Sequence, residues 1–186
     1  MYRYLSRHQK NRRRQGIIYL FVGLSLLAIY SLWRFHQVRI LSFFSREIPK
    51  ISVERSGQIP VLIKSYPLGV NIKIKEAGIQ NGVWQIFPDS ASHLESSARI
   101  GEGGNIIIYG HNKNEILGPI RWAREGEKIE LFDNEGKKYL YQAVKIDTVA
   151  SDNLTYLLPT DEETLTIYTC VGFLDTKRLI VVAKRV

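Results

Sequence analysis

The sequence predicts an all-β domain of about seven short strands, a barrel or a sandwich, behind one N-terminal transmembrane helix. Three observations lead there. Residues 16–33 form an uninterrupted run without a charge. From Pro60 onward, short apolar runs rich in Val, Ile and Tyr are separated by Gly, Asp, Asn and Pro, the punctuation of strands and turns. Several of these runs alternate apolar and polar residues with period two, as half-buried strands do.

The anchor comes first in the chain. A helix needs roughly 20 apolar residues, with ~17 as a lower limit, to cross the hydrocarbon core. The run from Gly16 to Trp33 suffices, and Tyr19, Tyr30 and Trp33 stand where interfacial aromatics belong. A cleaved signal peptide has an apolar stretch of only about 7–15 residues and a small-x-small exit. The exit here, Ala28-Ile-Tyr-Ser-Leu-Trp-Arg34, offers only a poor site at Ala28 and Tyr30. A buried core helix would not be apolar on every face. The run is therefore read as an uncleaved anchor.

Charge supports the same organisation. The chain carries 26 basic and 18 acidic residues, formally +8. Ten of the basic residues and a single acid, Glu47, fall in residues 1–50, so the rest is close to neutral. A basic face for nucleic acid is thereby excluded from the folded part. Arg3, Arg7, Lys10, Arg12, Arg13 and Arg14 precede the apolar run with no acid among them. Arg34, Arg39, Arg46 and Lys50 are spread over a longer stretch beyond it. This bias predicts the N-terminus inside and the domain outside, with basic flanks suited to anionic headgroups. The predicted organisation is a basic cytoplasmic tail (1–15), an anchor (16–33), a polar stalk with no clear period (34–58) and a globular domain (59–186).

Within the domain, residues 60–66 and the alternating 70–75 read as strands. Residues 90–99 read as a short surface helix, and Gly101-Glu-Gly-Gly104 as a turn. Residues 105–109 form a strand that Gly110 ends beside His111. Residues 127–132 and 137–147 form a hairpin about Asp133-Asn-Glu-Gly136, and 165–170 and 179–186 complete the set. Closure into a barrel would remove exposed sheet edges.

The one cysteine, Cys170, excludes an internal disulfide and multi-thiolate zinc sites. It ends the strand-like run Thr164-Leu-Thr-Ile-Tyr-Thr-Cys170. By itself a lone thiol is as readily a small apolar core residue as a nucleophile. If that run pairs antiparallel with the second apolar run, which carries Arg178, about a centre near Leu174, Cys170 and Arg178 lie directly opposite, with Cβ atoms about 4.5–5.5 Å apart. A guanidinium there can hold a thiolate or an oxyanion. Of the four histidines, His8 and His36 flank the anchor, which leaves His93 and His111 as partners for Cys170; His93 falls in the predicted surface helix, and His111, just past a strand and a glycine, is the favoured base. The bland alternatives are a turn-capping histidine and a solvated strand arginine.

These residues, in this order, resemble the sortase family. Thr166-Ile-Tyr-Thr169-Cys170 fits the sortase signature Thr-Leu-x-Thr-Cys with Ile167 in the leucine position. The strand end Gly103-Gly-Asn-Ile-Ile-Ile-Tyr-Gly-His111-Asn, Arg178 in the last strand, and the N-terminal anchor fit as well. The resemblance covers about residues 58–186, in addition to the anchor. It implies a closed sortase-type β-barrel of about eight strands with short helices, acting as a cysteine transpeptidase on the outer face of the bacterial plasma membrane. It implies that His111, Cys170 and Arg178 carry catalysis and that Thr169 shapes the substrate groove or orients Arg178. The implied partners are proteins with a C-terminal Leu-Pro-x-Thr-Gly-like sorting signal and an amine acceptor, a peptidoglycan precursor or a pilin lysine. No cofactor is expected. Some sortases bind calcium, and Glu125, Glu127, Glu130, Asp133 and Glu135 could form such a site, but a solvated hairpin is the simpler reading.

Two cysteine-enzyme alternatives fit less well. L,D-transpeptidases place a histidine and glycine just before the cysteine, where this chain has Tyr168-Thr169, and papain-like hydrolases place Cys before His. Outside enzymes, the alternative is a membrane-anchored β-domain that binds an extracellular partner. Rapid alkylation of Cys170 by a small methanethiosulfonate reagent separates an enzyme from such a module.

Overall fold

The computed structural model describes residues 2–41, 56–80, 83–172 and 175–186. It divides into two compact units, Met1–Arg39 and Ile40–Val186. The first is built on one helix, α1 (Tyr2–Leu41), which runs well past the apolar stretch at both ends. Its segment Arg14–Trp33 has a mean hydropathy of 2.0 and is not covered by protein. It is long and apolar enough to cross a membrane. Ser25 spends its hydroxyl on the Phe21 and Val22 carbonyls within the helix, so it brings no unsatisfied donor to that environment. Of the predicted stalk, residues 34–41 are helical and 42–55 lie outside the described residues.

Among the described residues, the second unit contains ten strands. They are β1 (Pro60–Ser65), β2 (Val70–Ala77), β3 (Ile79–Gln80), β4 (Val83–Trp84), β5 (Ala91–Leu94), β6 (Asn105–Gly110), β7 (Lys128–Asp133), β8 (Lys138–Ala150), β9 (Thr164–Val171) and β10 (Lys177–Arg185). Eight of them close into a barrel in the order β1-β2-β5-β6-β9-β10-β8-β7, and β3 and β4 form a separate small hairpin. The barrel of about eight strands expected from the sequence is therefore the observed fold. Pairing of β1 with β7 seals it, and β2–β5 and β6–β9 are its two parallel pairs.

One element departs from expectation. Residues 90–99 are not a surface helix. Ala91–Leu94 form strand β5, buried on both faces between β2 and β6. Ser92 and His93 hid it, because polar residues in a fully buried strand break the apolar pattern. His93 is wholly buried and its Nε2 lies 3.0 Å from the Ala98 carbonyl, so it closes the turn after β5.

Strands β6, β9 and β10 are buried almost throughout. Alternation explains why. Ile106 and Ile108, Leu165 and Ile167, and Leu179 and Val181 face the barrel interior with Ile63, Leu131 and Tyr141. Ile107 and Tyr109, Tyr168, and Ile180 face outward, yet they pack under Ala77, Trp84, Leu94 and Leu157. The outer wall is covered by the β3–β4 hairpin and by the 151–163 segment, which contains a 3-10 turn at Thr155–Leu157. Both faces being dry, these strands read as continuous apolar runs.

Leu131 is completely buried inside the barrel. Leu131→Ala should lower stability by about 2–5 kcal/mol through the lost transfer energy and the cavity left behind. Urea unfolding checks this; a cost below ~1 kcal/mol would contradict the interior assignment.

Candidate active site

The site begins with the pairing of β9 and β10. Their antiparallel register sets Arg178 against Cys170, Leu179 against Thr169 and Ile180 against Tyr168. This is the opposition the sequence predicted. The centre of the connecting turn, residues 173–174, lies outside the described residues. On either side of it, Gly172 (φ 84°) and Asp175 (φ 57°) adopt left-handed backbone. Asp and Asn tolerate this region better than other side-chain-bearing residues. The left-handed turn of Asp175 brings its carbonyl to the Arg178 guanidinium. Nη1 of Arg178 donates to that oxygen at 2.7 Å and to the Lys177 carbonyl at 3.0 Å.

Because Leu165 and Ile167 point into the barrel, Cys170 and its partner Arg178 lie on the outer wall. They share a pocket there with Trp84, Ile86, Tyr109, Tyr168 and the Gly110–Thr169 strand pair. The cavity volume is about 20 Å³, room for about one water molecule. Cys170 is 5% exposed and Arg178 1%. A cation this deeply buried is tolerable only where anionic or dipolar groups face it, and here carbonyls and a thiol do so.

Thr169 has its hydroxyl committed to the Gly110 carbonyl at 2.9 Å. That bond fastens β9 to β6 at the end of both strands. Gly110 lies against Ile116 and Leu117, with an added Cβ falling 3.3 Å from Leu117 Cδ1, so glycine gives the next loop its close approach. His111 follows directly. Since Gly110 pairs with Thr169, one further step of the same parallel register sets His111 alongside Cys170. His111 is half-buried, its carbonyl accepts from the Leu117 amide at 3.2 Å, and it is not among the residues lining the small pocket. Cys170 and Arg178 are thus brought into one pocket, and His111 stands at its strand-end border.

Electrostatics favour uncharged groups. Burial pushes the Cys170 thiol up to about 11, against the pull of Arg178 and with a push from Asp175. Burial and then Lys113 move His111 below its ordinary value, opposed by Asp175. Thiol and imidazole are therefore both neutral near pH 7. Asp175 acts on both groups, which ties the β9–β10 turn to each.

Three participants escaped sequence reasoning. Asp175 gave no signal beyond being a turn residue. Trp84 and Ile86 sit in a stretch with no clear period, although its aromatic and apolar content (Val83, Trp84, Ile86, Phe87) marked it as more than a loop. Trp84 meets Tyr109 edge-on at 4.6 Å and lies nearly parallel to Tyr168 at 6.3 Å. Its segment is held by the Gln85 amide on the Gly78 carbonyl (3.0 Å), the Gly78 amide on Gln85 Oε1 (3.1 Å) and the Tyr109 hydroxyl on the Gln85 carbonyl (2.7 Å). No group of three or more His, Cys, Asp or Glu suited to a metal occurs among the described residues. In the β7–β8 hairpin, Asp133 accepts from the Glu135 and Lys137 amides and the Tyr139 hydroxyl, and Glu130 pairs with Lys138.

The closed eight-stranded barrel, taken with the family match that covers it, places the chain in the class of sortase-type transpeptidases. The Sortase family profile (Sortase domain) matches residues 63–186. The chain belongs to the sortase family. Solved structures agree in fold. Sortase A from Corynebacterium diphtheriae aligns with a TM-score of 0.59 at 18% identity, over 86% of this chain and 83% of that one. Sortase A of Listeria monocytogenes gives 0.57 at 21%, over 69% and 88%. The pilus-related sortase C of Group B Streptococcus gives 0.58 at 21%, over 88% and 90%. Comparison with curated proteins gave no match.

The raised thiol has a direct consequence. The thiolate is the reactive form, so alkylation of Cys170 should accelerate as pH rises from neutrality, with a midpoint near 11. A rate already level below about pH 8, where an unshifted thiol near 8.5 is still mostly protonated, would contradict the assignment. Trp84 walls the pocket, so Trp84→Ala should raise the alkylation rate at fixed pH by ~10-fold through access alone. An unchanged rate would show that the indole does not cover the sulfur.

Proposed function

We propose that the chain is a membrane-anchored transpeptidase that cleaves a Leu-Pro-x-Thr-Gly-like sorting signal through an acyl-enzyme on Cys170. The observation that carries this reading is the β9–β10 register, which opposes Cys170 and Arg178 on the covered outer wall. The reaction starts from the neutral pair. His111 takes the thiol proton as Sγ attacks the carbonyl carbon of the scissile threonine–glycine bond. The tetrahedral oxyanion is met by the Arg178 guanidinium, held by the Asp175 and Lys177 carbonyls. The C–N bond breaks, His111 returns its proton to the leaving amine, and a thioester remains. An incoming amine then attacks the thioester carbon and gives up a proton to His111. The C–S bond breaks with release of the new amide, and His111 hands its proton to the departing sulfur, which restores the neutral pair. Thr169 acts by fastening the strand end that bears His111 to the strand that bears Cys170.

The acyl donor in this proposal is a protein with a C-terminal sorting signal. The acceptor is an amine of a peptidoglycan precursor or a pilin lysine. Residues 16–33 anchor the enzyme in the bacterial plasma membrane by a single span. The basic tail 1–15 is cytoplasmic, and a stalk, 34–58, leads to the extracellular domain 59–186.

Fluorogenic sorting peptides incubated with and without an added amine test the reading. Cleavage should occur, and the amine should shift the product from acid to amide. Cys170→Ala should abolish turnover with the fold intact. His111→Ala should cost about 10²–10⁴-fold as a lost acid–base group, and Arg178→Ala about 10²–10³-fold as a lost oxyanion donor. Near-normal transpeptidation by His111→Ala would refute its role.

A further inference from the structure

Thr166, the first threonine of the Thr-Ile-Tyr-Thr-Cys run, takes no part in the reaction above, although it lies on the same outward face as Tyr168 and Cys170. Its hydroxyl donates to Asn105 Oδ1 at 2.7 Å, and both side chains are buried, at 1% and 4% exposed. Asn105 opens β6, 61 residues away in sequence. The hydroxyl bond settles which way the amide faces. With Oδ1 taken as acceptor, Nδ2 turns away and uses both its hydrogens, on the Tyr156 carbonyl at 2.9 Å and the Leu158 carbonyl at 3.0 Å. The reversed amide would set its oxygen against two other oxygens.

Both carbonyls belong to the segment between β8 and β9. They flank Leu157, which is buried in the outer cluster with Trp84, Tyr109 and Tyr168, three walls of the Cys170 pocket. A second tie holds the same turn from the other side. The Tyr156 hydroxyl donates to Asp147 Oδ2 at 2.5 Å, and Lys145 Nζ lies 5.0 Å over the Tyr156 ring. The segment thus has a specified seat on the barrel wall, and its apolar side chains, Leu154, Leu157 and Leu158, border the covered groove or stand open to solvent. A shift of the two carbonyls would move Leu157, and with it the aromatic wall beside the thiol.

We propose that Asn105, oriented by Thr166, is a positioning residue for substrate selection. It fixes the 151–163 flank so that the flank receives the apolar side chains of an extended peptide on the acyl side of the scissile bond. This deepens the transpeptidase reading and rests on it. Neither residue reaches the reacting atoms, so their loss weakens substrate binding and leaves the chemical step alone.

The test uses the full-length chain in detergent micelles with Thr166→Val, which keeps the shape and removes the hydroxyl, Thr166→Ser, which restores it, and Asn105→Ala. Kinetics are measured on a fluorogenic Leu-Pro-x-Thr-Gly peptide, and amide hydrogen exchange is followed across residues 154–158. Thr166→Val should raise KM about fivefold, the scale of one lost buried hydrogen bond, with kcat within about twofold. Exchange of the segment should quicken in Thr166→Val and Asn105→Ala, and Thr166→Ser should return both readouts to the parent values. Unchanged KM, a loss confined to kcat, or unchanged exchange in the segment would overturn the inference. The arms separate the two readings: no turnover by the parent chain sinks the transpeptidase reading and this one with it, whereas unaltered exchange with normal parent turnover sinks only this one.

Discussion

The placement of Arg178 opposite Cys170 is the constraint on which the rest of the domain depends. It requires β9 and β10 to run antiparallel without slippage, since a one-residue slip would send one of the two side chains to the other face. The register is fixed by the inward row of Leu165, Ile167, Leu179 and Val181. It is secured at the turn by left-handed Asp175, whose carbonyl takes the guanidinium. A buried cation without partners would be costly. The main-chain carbonyls of Asp175 and Lys177 are two such partners.

Burial explains the resting electrostatics as well. The thiol is raised and the imidazole lowered chiefly because each is removed from water, not because they face the wrong partners. The neutral thiol is the less nucleophilic form, so proton transfer from sulfur is part of any attack it makes. Arg178 favours the thiolate, and in the proposed reaction the same guanidinium meets the negative charge that develops on the acyl donor's carbonyl oxygen.

Much of this was legible in the sequence. The period-two pattern and the turn residues at 172–175 were enough to align Cys170 with Arg178. The uncharged run of 16–33 marked the apolar helix, and alternation across 127–147 marked the hairpin β7–β8. Strand β5 was not legible, because Ser92 and His93 interrupt its apolar pattern while being fully buried. The parallel pairings β2–β5 and β6–β9 join segments far apart in the chain and leave no local periodicity. For the same reason nothing in the sequence linked Asn105 to Thr166, or set Trp84 over Tyr109 and Tyr168. Such contacts depend on barrel closure.

The most direct test is mass spectrometry of the intact chain after brief incubation with a sorting peptide in the absence of an amine. The account predicts a mass increase equal to the N-terminal acyl fragment, mapped to Cys170 and discharged as an amide when an amine is added. No covalent adduct during turnover, or an adduct on any other residue, would contradict it.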